Sequence, residues 1–332
     1  MDNAPRPAAP PPLSPKAWIA DRSKSGAASR LGLLAKILIS GALLVFLSRE
    51  VDWPSVSARL AAAVPGPLLF AFALLIVTVF LAALRWRMLV QQGAARMTTL
   101  AAVQLTFAGM FFGQALPATV GGDVVRGVLA YRCGLPWRAV VLGVVLDRVV
   151  ALLASLILIL AGLPWLAAQA AGGAVPLVWT AFASVSLAGG LALALVIDRI
   201  PLPVRIANNR WIAGGLGLAK QVRSGLFSKT GGTALVISLS IHLSTVVIVV
   251  LIGRGLGVTV SPLAAFVAVP LAILAAAIPI SLNGWGVREG VMVAGLALFG
   301  ISSGDALLIS ILLGFGVILS VLPGCLTWLA LK

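Results

Sequence analysis

Long apolar runs make up most of the chain, separated by short stretches where proline, glycine and basic residues collect. The runs cover approximately 31–48, 67–84, 98–116, 139–161, 176–197, 233–253, 262–282, 287–303 and 304–330. Several approach or exceed the roughly 18 apolar residues that a membrane-crossing helix needs. The pattern predicts an all-α polytopic membrane protein. Residues 1–30 are Pro- and Ala-rich with scattered basic residues and no apolar core. This predicts a disordered cytoplasmic tail, with a weak polyproline candidate at Pro10 to Pro12, and not a signal peptide. The transmembrane domain is expected over 31–332. Within it, the basic loop 198–230 places Trp211, Leu218, Val222 and Leu226 at helical spacing, with Arg210, Gln221, Arg223 and Lys229 elsewhere around the wheel. It reads either as an interfacial helix or as a basic linker.

One stretch occurs twice. Leu116-Pro117-Ala118-Thr119-Val120-Gly121-Gly122-Asp123-Val124-Val125-Arg126 is echoed by Ile278-Pro279-Ile280-Ser281-Leu282-Asn283-Gly284-Trp285-Gly286-Val287-Arg288. Pro117/Pro279, Gly122/Gly284, Val125/Val287 and Arg126/Arg288 are identical at one constant offset, and Thr119/Ser281 share a hydroxyl. Each copy ends an apolar run with a Pro/Gly break and an arginine. In membrane proteins, interrupted segments at corresponding places in two halves point to a transport site.

Charge decides how these breaks sit. Only 10% of residues are charged and 61% are hydrophobic, against about a quarter charged in a soluble domain. The net charge of +15 lies in short loops between the runs, which is positive-inside patterning and not a nucleic-acid footprint. If 98–116 crossed outward and stayed there, the most basic loop would fall outside. A re-entrant hairpin over 98–137, breaking at Gly121-Gly122, removes the conflict. A second hairpin over 262–303 then enters from the outside and turns at Asn283-Gly284, and both termini are cytoplasmic. Only Arg49, Arg59, Arg254 and Arg288 remain outside or at the outer hairpin, with Arg148 inside a span. The halves, 31–161 and 176–330, each consist of two spans, a hairpin and a span. They form an inverted repeat. The run 98–116 would reach ~28 Å as a helix, enough to cross fully, so the depth of the break stays open.

The chemistry at the breaks favours an anion. A glycine pair such as Gly121-Gly122 lets the backbone turn and expose its amides. Asp123 and Asn283 are candidate caps of the returning helices. Arg126 and Arg288 fall in the first turn of those helices, where the helix dipole and a full charge add, most naturally for phosphate. The competing reading is internal pairing, Arg126 with Asp123 and Arg288 with Glu289 or with a carboxylate of the other half. Thr119, Gly121, Gly122, Asp123, Arg126, Arg148, Ser281, Asn283, Gly284, Arg288 and Glu289 are the candidate substrate-binding residues. Asp147, Glu289 and Asp123 are the candidate proton carriers, and Asp147 reads alternatively as a helix-packing counter-charge to Arg148. Asp147 and Arg148 lie within a span and, being adjacent, point about 100° apart, so they do not pair with each other. Arg148 is either a third anion ligand or a partner of Asp123. His242, among Ser238, Ser240, Ser244 and Thr245, is a proton relay or a packing histidine. Arg85, Trp86 and Arg87 read as an interface anchor, and Pro323-Gly324 as a kink. The single histidine and the two cysteines, Cys133 and Cys325, leave no metal cluster or disulfide framework, and no cofactor is expected.

The elements Pro117-x-x-x-Gly121-Gly122-Asp123-x-x-Arg126, Asp147-Arg148 and Pro279-x-Ser281-x-Asn283-Gly284-x-Gly286-x-Arg288-Glu289 resemble the membrane flippase region of lysylphosphatidylglycerol synthases and its stand-alone relatives. The resemblance spans about 31–330. It implies a lipid transporter of the bacterial cytoplasmic (inner) membrane, handling an anionic phospholipid, a polyprenyl phosphate or a hopanoid-type lipid. The family's aminoacyl-lipid synthesis resides in a separate soluble domain, so this chain is not expected to be an enzyme. Asn283 stands where the family often has glycine.

Three function classes therefore compete. The leading one is a flippase for an anionic lipid, working between inverted halves. The second is an integral membrane enzyme, or a partner of an enzyme of lipid synthesis, acting on lipid-linked substrates. Short loops and the lack of a paired-carboxylate metal motif weigh against the enzyme. The third is a transporter of small soluble anions.

Overall fold

A leucine-, valine- and alanine-rich run surrounded by lipid satisfies its backbone hydrogen bonds most simply as a helix. A computed structural model of the protein describes residues 26–49, 51–93, 95–115, 121–169, 210–278 and 280–330, with isolated positions between 185 and 199. Every regular element among the described residues is helical. In chain order these are α1 (Gly26–Ser48), α2 (Trp53–Ala61), α3 (Pro65–Gln91), α4 (Thr99–Ala115), α5 (Gly121–Arg132), α6 (Trp137–Gln169), α7 (Arg210–Leu226), α8 (Lys229–Gly255), α9 (Pro262–Ala277), α10 (Val287–Ala297), α11 (Ser303–Val321) and α12 (Pro323–Ala330). Four stretches are long and apolar enough to cross a membrane: Pro65–Gln91, Trp137–Ala168, Lys229–Gly255 and Ser303–Leu329. The chain is a multi-pass membrane protein. Residues 1–25, the expected span 176–197 apart from isolated positions, and the first break at 116–120 lie outside the described residues.

Local chemistry sets the helix starts. Pro65 opens α3, where its missing N–H would have had no intrahelical partner. Ser228, Ser261 and Ser302 cap α8, α9 and α11, accepting from Gly231 N–H (3.0 Å), Ala264 N–H (3.1 Å) and Asp305 N–H (3.2 Å). The short α2 was not expected, because nine residues with a proline in the first turn carry no long apolar run. Its Arg59 reaches Asp305, Nη2 to Oδ2 at 3.0 Å, and ties α2 to the start of α11. The basic segment forms α7. Its stripe of Leu218, Val222 and Leu226 packs with Leu142, Leu146 and Val150 of α6, leaving Lys220 and Gln221 exposed.

Two helix pairs fold back on themselves. In the first, α4 meets α5 almost backbone to backbone. A Cβ added at Gly122 would lie 2.6 Å from Gly109 O, and one at Gly109 would lie 2.7 Å from Arg126 Cβ. Gly113 also faces Gly122, so small residues four apart on α4 receive the start of α5. In the second pair, Gly284 approaches Ala276 and Gly295 approaches Ala268, which sets α9 and α10 antiparallel. Around these pairs, α3 and α8 make the most extensive helix–helix contact, and α6 packs on α3, α5, α8 and α9. The helix is interrupted at Leu322, ahead of Pro323-Gly324, and α12 packs onto α4, where Thr327 Oγ1 donates to Gln104 O at 3.2 Å.

Candidate functional site

The close packing of α4 on α5 holds the backbone of Arg126 against Gly109. Its guanidinium lies over the Trp86 ring of α3, 4.4 Å from the centroid. Nη2 donates to Asp123 Oδ1 at 2.8 Å and to Asp147 Oδ2 at 3.2 Å. Asp147 receives Arg85 on its other oxygen, Nε to Oδ1 at 2.7 Å, and Arg85 Nη1 donates to Ser238 of α8 at 2.7 Å. Asp123 gives its remaining oxygen to Arg148. The result is one alternating row, Arg148–Asp123–Arg126–Asp147–Arg85, spanning α6, α5 and α3 and tied to α8. All members are buried except Arg148, whose side chain is half exposed.

Three arginines face two aspartates in this row, so it carries one surplus positive charge. A net charge at membrane depth is costly unless water, protein or an anion meets it. Beside the row lies a cavity of about 130 Å³, lined by Gly109, Met110, Gly113 and Gln114 of α4, Gly122, Asp123 and Arg126 of α5, Arg148, and Asn283. Arg126 Nε is buried and has no hydrogen-bond partner among the described residues. A surplus charge, an unsatisfied donor and an adjoining cavity together suit an anion.

The second copy of the motif is built differently. Arg288 Nε donates to Glu289 Oε1 at 3.0 Å, and its guanidinium lies 4.9 Å from the Trp285 ring centroid. Glu289 is fully buried and takes Gly286 N–H on Oε2 at 2.6 Å, which fixes the start of α10. This pair is neutral, and Arg288 does not line the cavity. It sits instead against Gly314 of α11, where a Cβ would lie 2.8 Å from the Trp285 ring. Asn283, expected as a cap, instead donates through Nδ2 to Gln114 Oε1 at 2.6 Å, and Gly286 takes the N-cap position. Asn283 (φ 49), Gly284 (φ 82) and Gly286 (φ 86) make the turn, left-handed conformations that asparagine and glycine bear most easily.

Of the sequence-derived site residues, Gly122, Asp123, Arg126, Arg148 and Asn283 meet at the cavity. Gly121 is buried at the first position of α5, and Asp147 stands behind Arg126. Ser281, Gly284, Arg288 and Glu289 are not in its lining, and Thr119 lies outside the described residues. In the first copy internal pairing coexists with a cavity suited to an anion. Of the candidate proton carriers, Asp123 and Asp147 are each shared by two arginines, while Glu289 holds the second turn.

Sequence reasoning missed Arg85, Trp86 and Gln114. Arg85 and Trp86 are no interface anchor: both are buried, Trp86 under the Arg126 guanidinium and Arg85 on Asp147. The apolar Met88-Leu89-Val90 that follows was the available signal, because it carries α3 onward past the arginines. His242 Nε2 lies 3.2 Å from both Ser155 Oγ and Ala151 O, the contacts of a packing histidine.

The family described as the lysylphosphatidylglycerol synthase TM region matches residues 33–324. No curated protein and no solved structure matches the chain. With the match running from α1 to the start of α12 and covering every residue of the site, the chain belongs to the lysylphosphatidylglycerol synthase transmembrane-region family.

Proposed function

We propose that this protein is a flippase-type transporter that moves a phosphate-bearing anionic lipid across the bacterial cytoplasmic membrane. The observation that carries the reading is buried Arg126, whose Nε has no partner among the described residues, lining a cavity that also receives half-exposed Arg148. The phosphate would sit on these two arginines while the acyl or prenyl tails stay in the bilayer. Arg288, neutralised by Glu289, would brace the second turn. Anionic phospholipids and polyprenyl phosphates meet this chemistry, whereas a hopanoid-type lipid does so only when it carries an anionic group.

An inverted repeat of two spans, a re-entrant hairpin and a span, with both termini cytoplasmic, is the architecture that accompanies this reading. The packing supports it. The α4–α5 and α9–α10 pairs correspond, as do α3–α4 with α8–α9, α5–α6 with α10–α11, and α6–α9 with α12–α4. The test is reconstitution of the purified protein into liposomes with fluorescent phosphatidylglycerol, a short-chain polyprenyl phosphate and neutral diacylglycerol. Accelerated exchange of a phosphate-bearing lipid and not of diacylglycerol is expected. Equal rates for all three, or no acceleration of any, would contradict the reading.

A further inference from the structure

Arg126 uses a single nitrogen, Nη2, for both of its carboxylate bonds and leaves the neighbouring Nε without a partner among the described residues. That is an unusual economy. The favoured contact between an arginine and a carboxylate is a fork of two parallel N–H···O bonds. Nε and Nη2 are one such pair of prongs, and Asp147 is within reach at 3.2 Å. Arg85 Nε holds Asp147 Oδ1 at 2.7 Å and competes with Arg126 Nε for that oxygen. Arg85 is fixed in turn by Ser238 on α8, and it is 7% exposed.

We infer that Arg85 is a positioning residue for the anion site: by competing for Asp147 Oδ1 it disfavours the Arg126 fork and leaves Arg126 Nε free of carboxylate for a ligand entering the cavity that Arg126 lines. This rests on the proposed anion role of Arg126. Arg85 itself does not line the cavity, so it acts through Asp147. Its loss would not leave Asp147 unpaired, since Arg126 would take both oxygens. The site would then fail with Arg126 still present and still charged.

The probe is inorganic phosphate, added at constant ionic strength to the full-length protein in lipid nanodiscs. The readout is the arginine Nε–H resonance of Arg126 in protein labelled with ¹⁵N-arginine, assigned by its disappearance in Arg126→Lys. In the unaltered protein the resonance shifts with phosphate. In Arg85→Gln it moves to a carboxylate-bonded position before any phosphate is added, stops responding, and phosphate affinity drops about tenfold or more. Arg85→Gln/Asp147→Asn removes the trap together with the residue that guards it, and restores the response. Loss of a charge alone would weaken binding without moving the resonance in the phosphate-free protein. If Arg85→Gln does not fold, Asp147→Asn decides: the response persists on this account. An Arg85→Gln resonance that responds as in the unaltered protein overturns the inference and leaves the anion site standing. So does a silent double variant or a silent Asp147→Asn. If the unaltered protein itself shows no response, the anion site falls, and the inference with it.

Discussion

Asn283, in the turn before α10, donates its side-chain amide to Gln114 at the end of α4 at 2.6 Å. The bond joins the two folded-back helix pairs at the cavity that both residues line. Asn283 makes it from a left-handed backbone (φ 49), which costs an ordinary side chain roughly 1–2 kcal/mol. Asn283→Ala should therefore lose the bond and incur that cost, whereas Asn283→Gly loses only the bond. Thermal unfolding in detergent should rank Ala below Gly by about 1 kcal/mol. Equal destabilisation would mean that the turn relaxes in the alanine variant.

The α4–α5 approach predicts a sharp contrast between glycines. A Cβ at Gly122 would press on Gly109 O, while one at Gly290 meets nothing within 4 Å. Gly122→Ala should cost about 1–3 kcal/mol. Gly290→Ala, inside α10, should be neutral or stabilising by up to ~1 kcal/mol. Unfolding midpoints of the two variants check this, and a well-tolerated Gly122→Ala would refute the close approach.

Arg288 and Glu289 predict a stability effect, because Glu289 has no exposure to water. Arg288→Gln leaves that carboxylate without its cation and should cost on the order of 3–5 kcal/mol. Arg288→Gln/Glu289→Gln should recover much of the loss, since glutamine still offers an oxygen to Gly286 N–H. A double variant no more stable than the single would show that the pair is not what holds the turn.

The helices were legible because a span leaves the chain little choice: the runs at 67–84, 139–161, 233–253 and 304–330 each became part of a long helix. The motif repeat led to Gly122, Asp123, Arg126 and Asn283, and a charge inside a span led to Arg148; these five converge at one cavity. What stayed hidden depends on packing between distant segments. Arg85 looked like the end of a span because its partners, Asp147 and Ser238, lie on other helices. The two arginines of the repeat looked equivalent, yet Arg126 pairs with i−3 and a remote aspartate while Arg288 pairs with its own neighbour. Such choices are made by which helix arrives opposite, and no local pattern records them.

The inverted arrangement predicts opposite faces for two loop positions. In a protein lacking Cys133 and Cys325, Arg132→Cys should label with an impermeant thiol reagent from the cytoplasmic side and Ser303→Cys from the outside. Labelling of both from one side would contradict the inversion.

The central claim is that Arg126 holds the phosphate of the transported lipid. The direct measurement is lipid exchange in liposomes carrying unaltered, Arg126→Lys or Arg126→Gln protein, each shown beforehand to be folded and monodisperse. Lysine keeps the charge and loses the planar array of donors, so exchange should fall; glutamine loses the charge as well, so exchange should nearly vanish. Folded Arg126→Gln protein exchanging lipid at the unaltered rate would contradict the account.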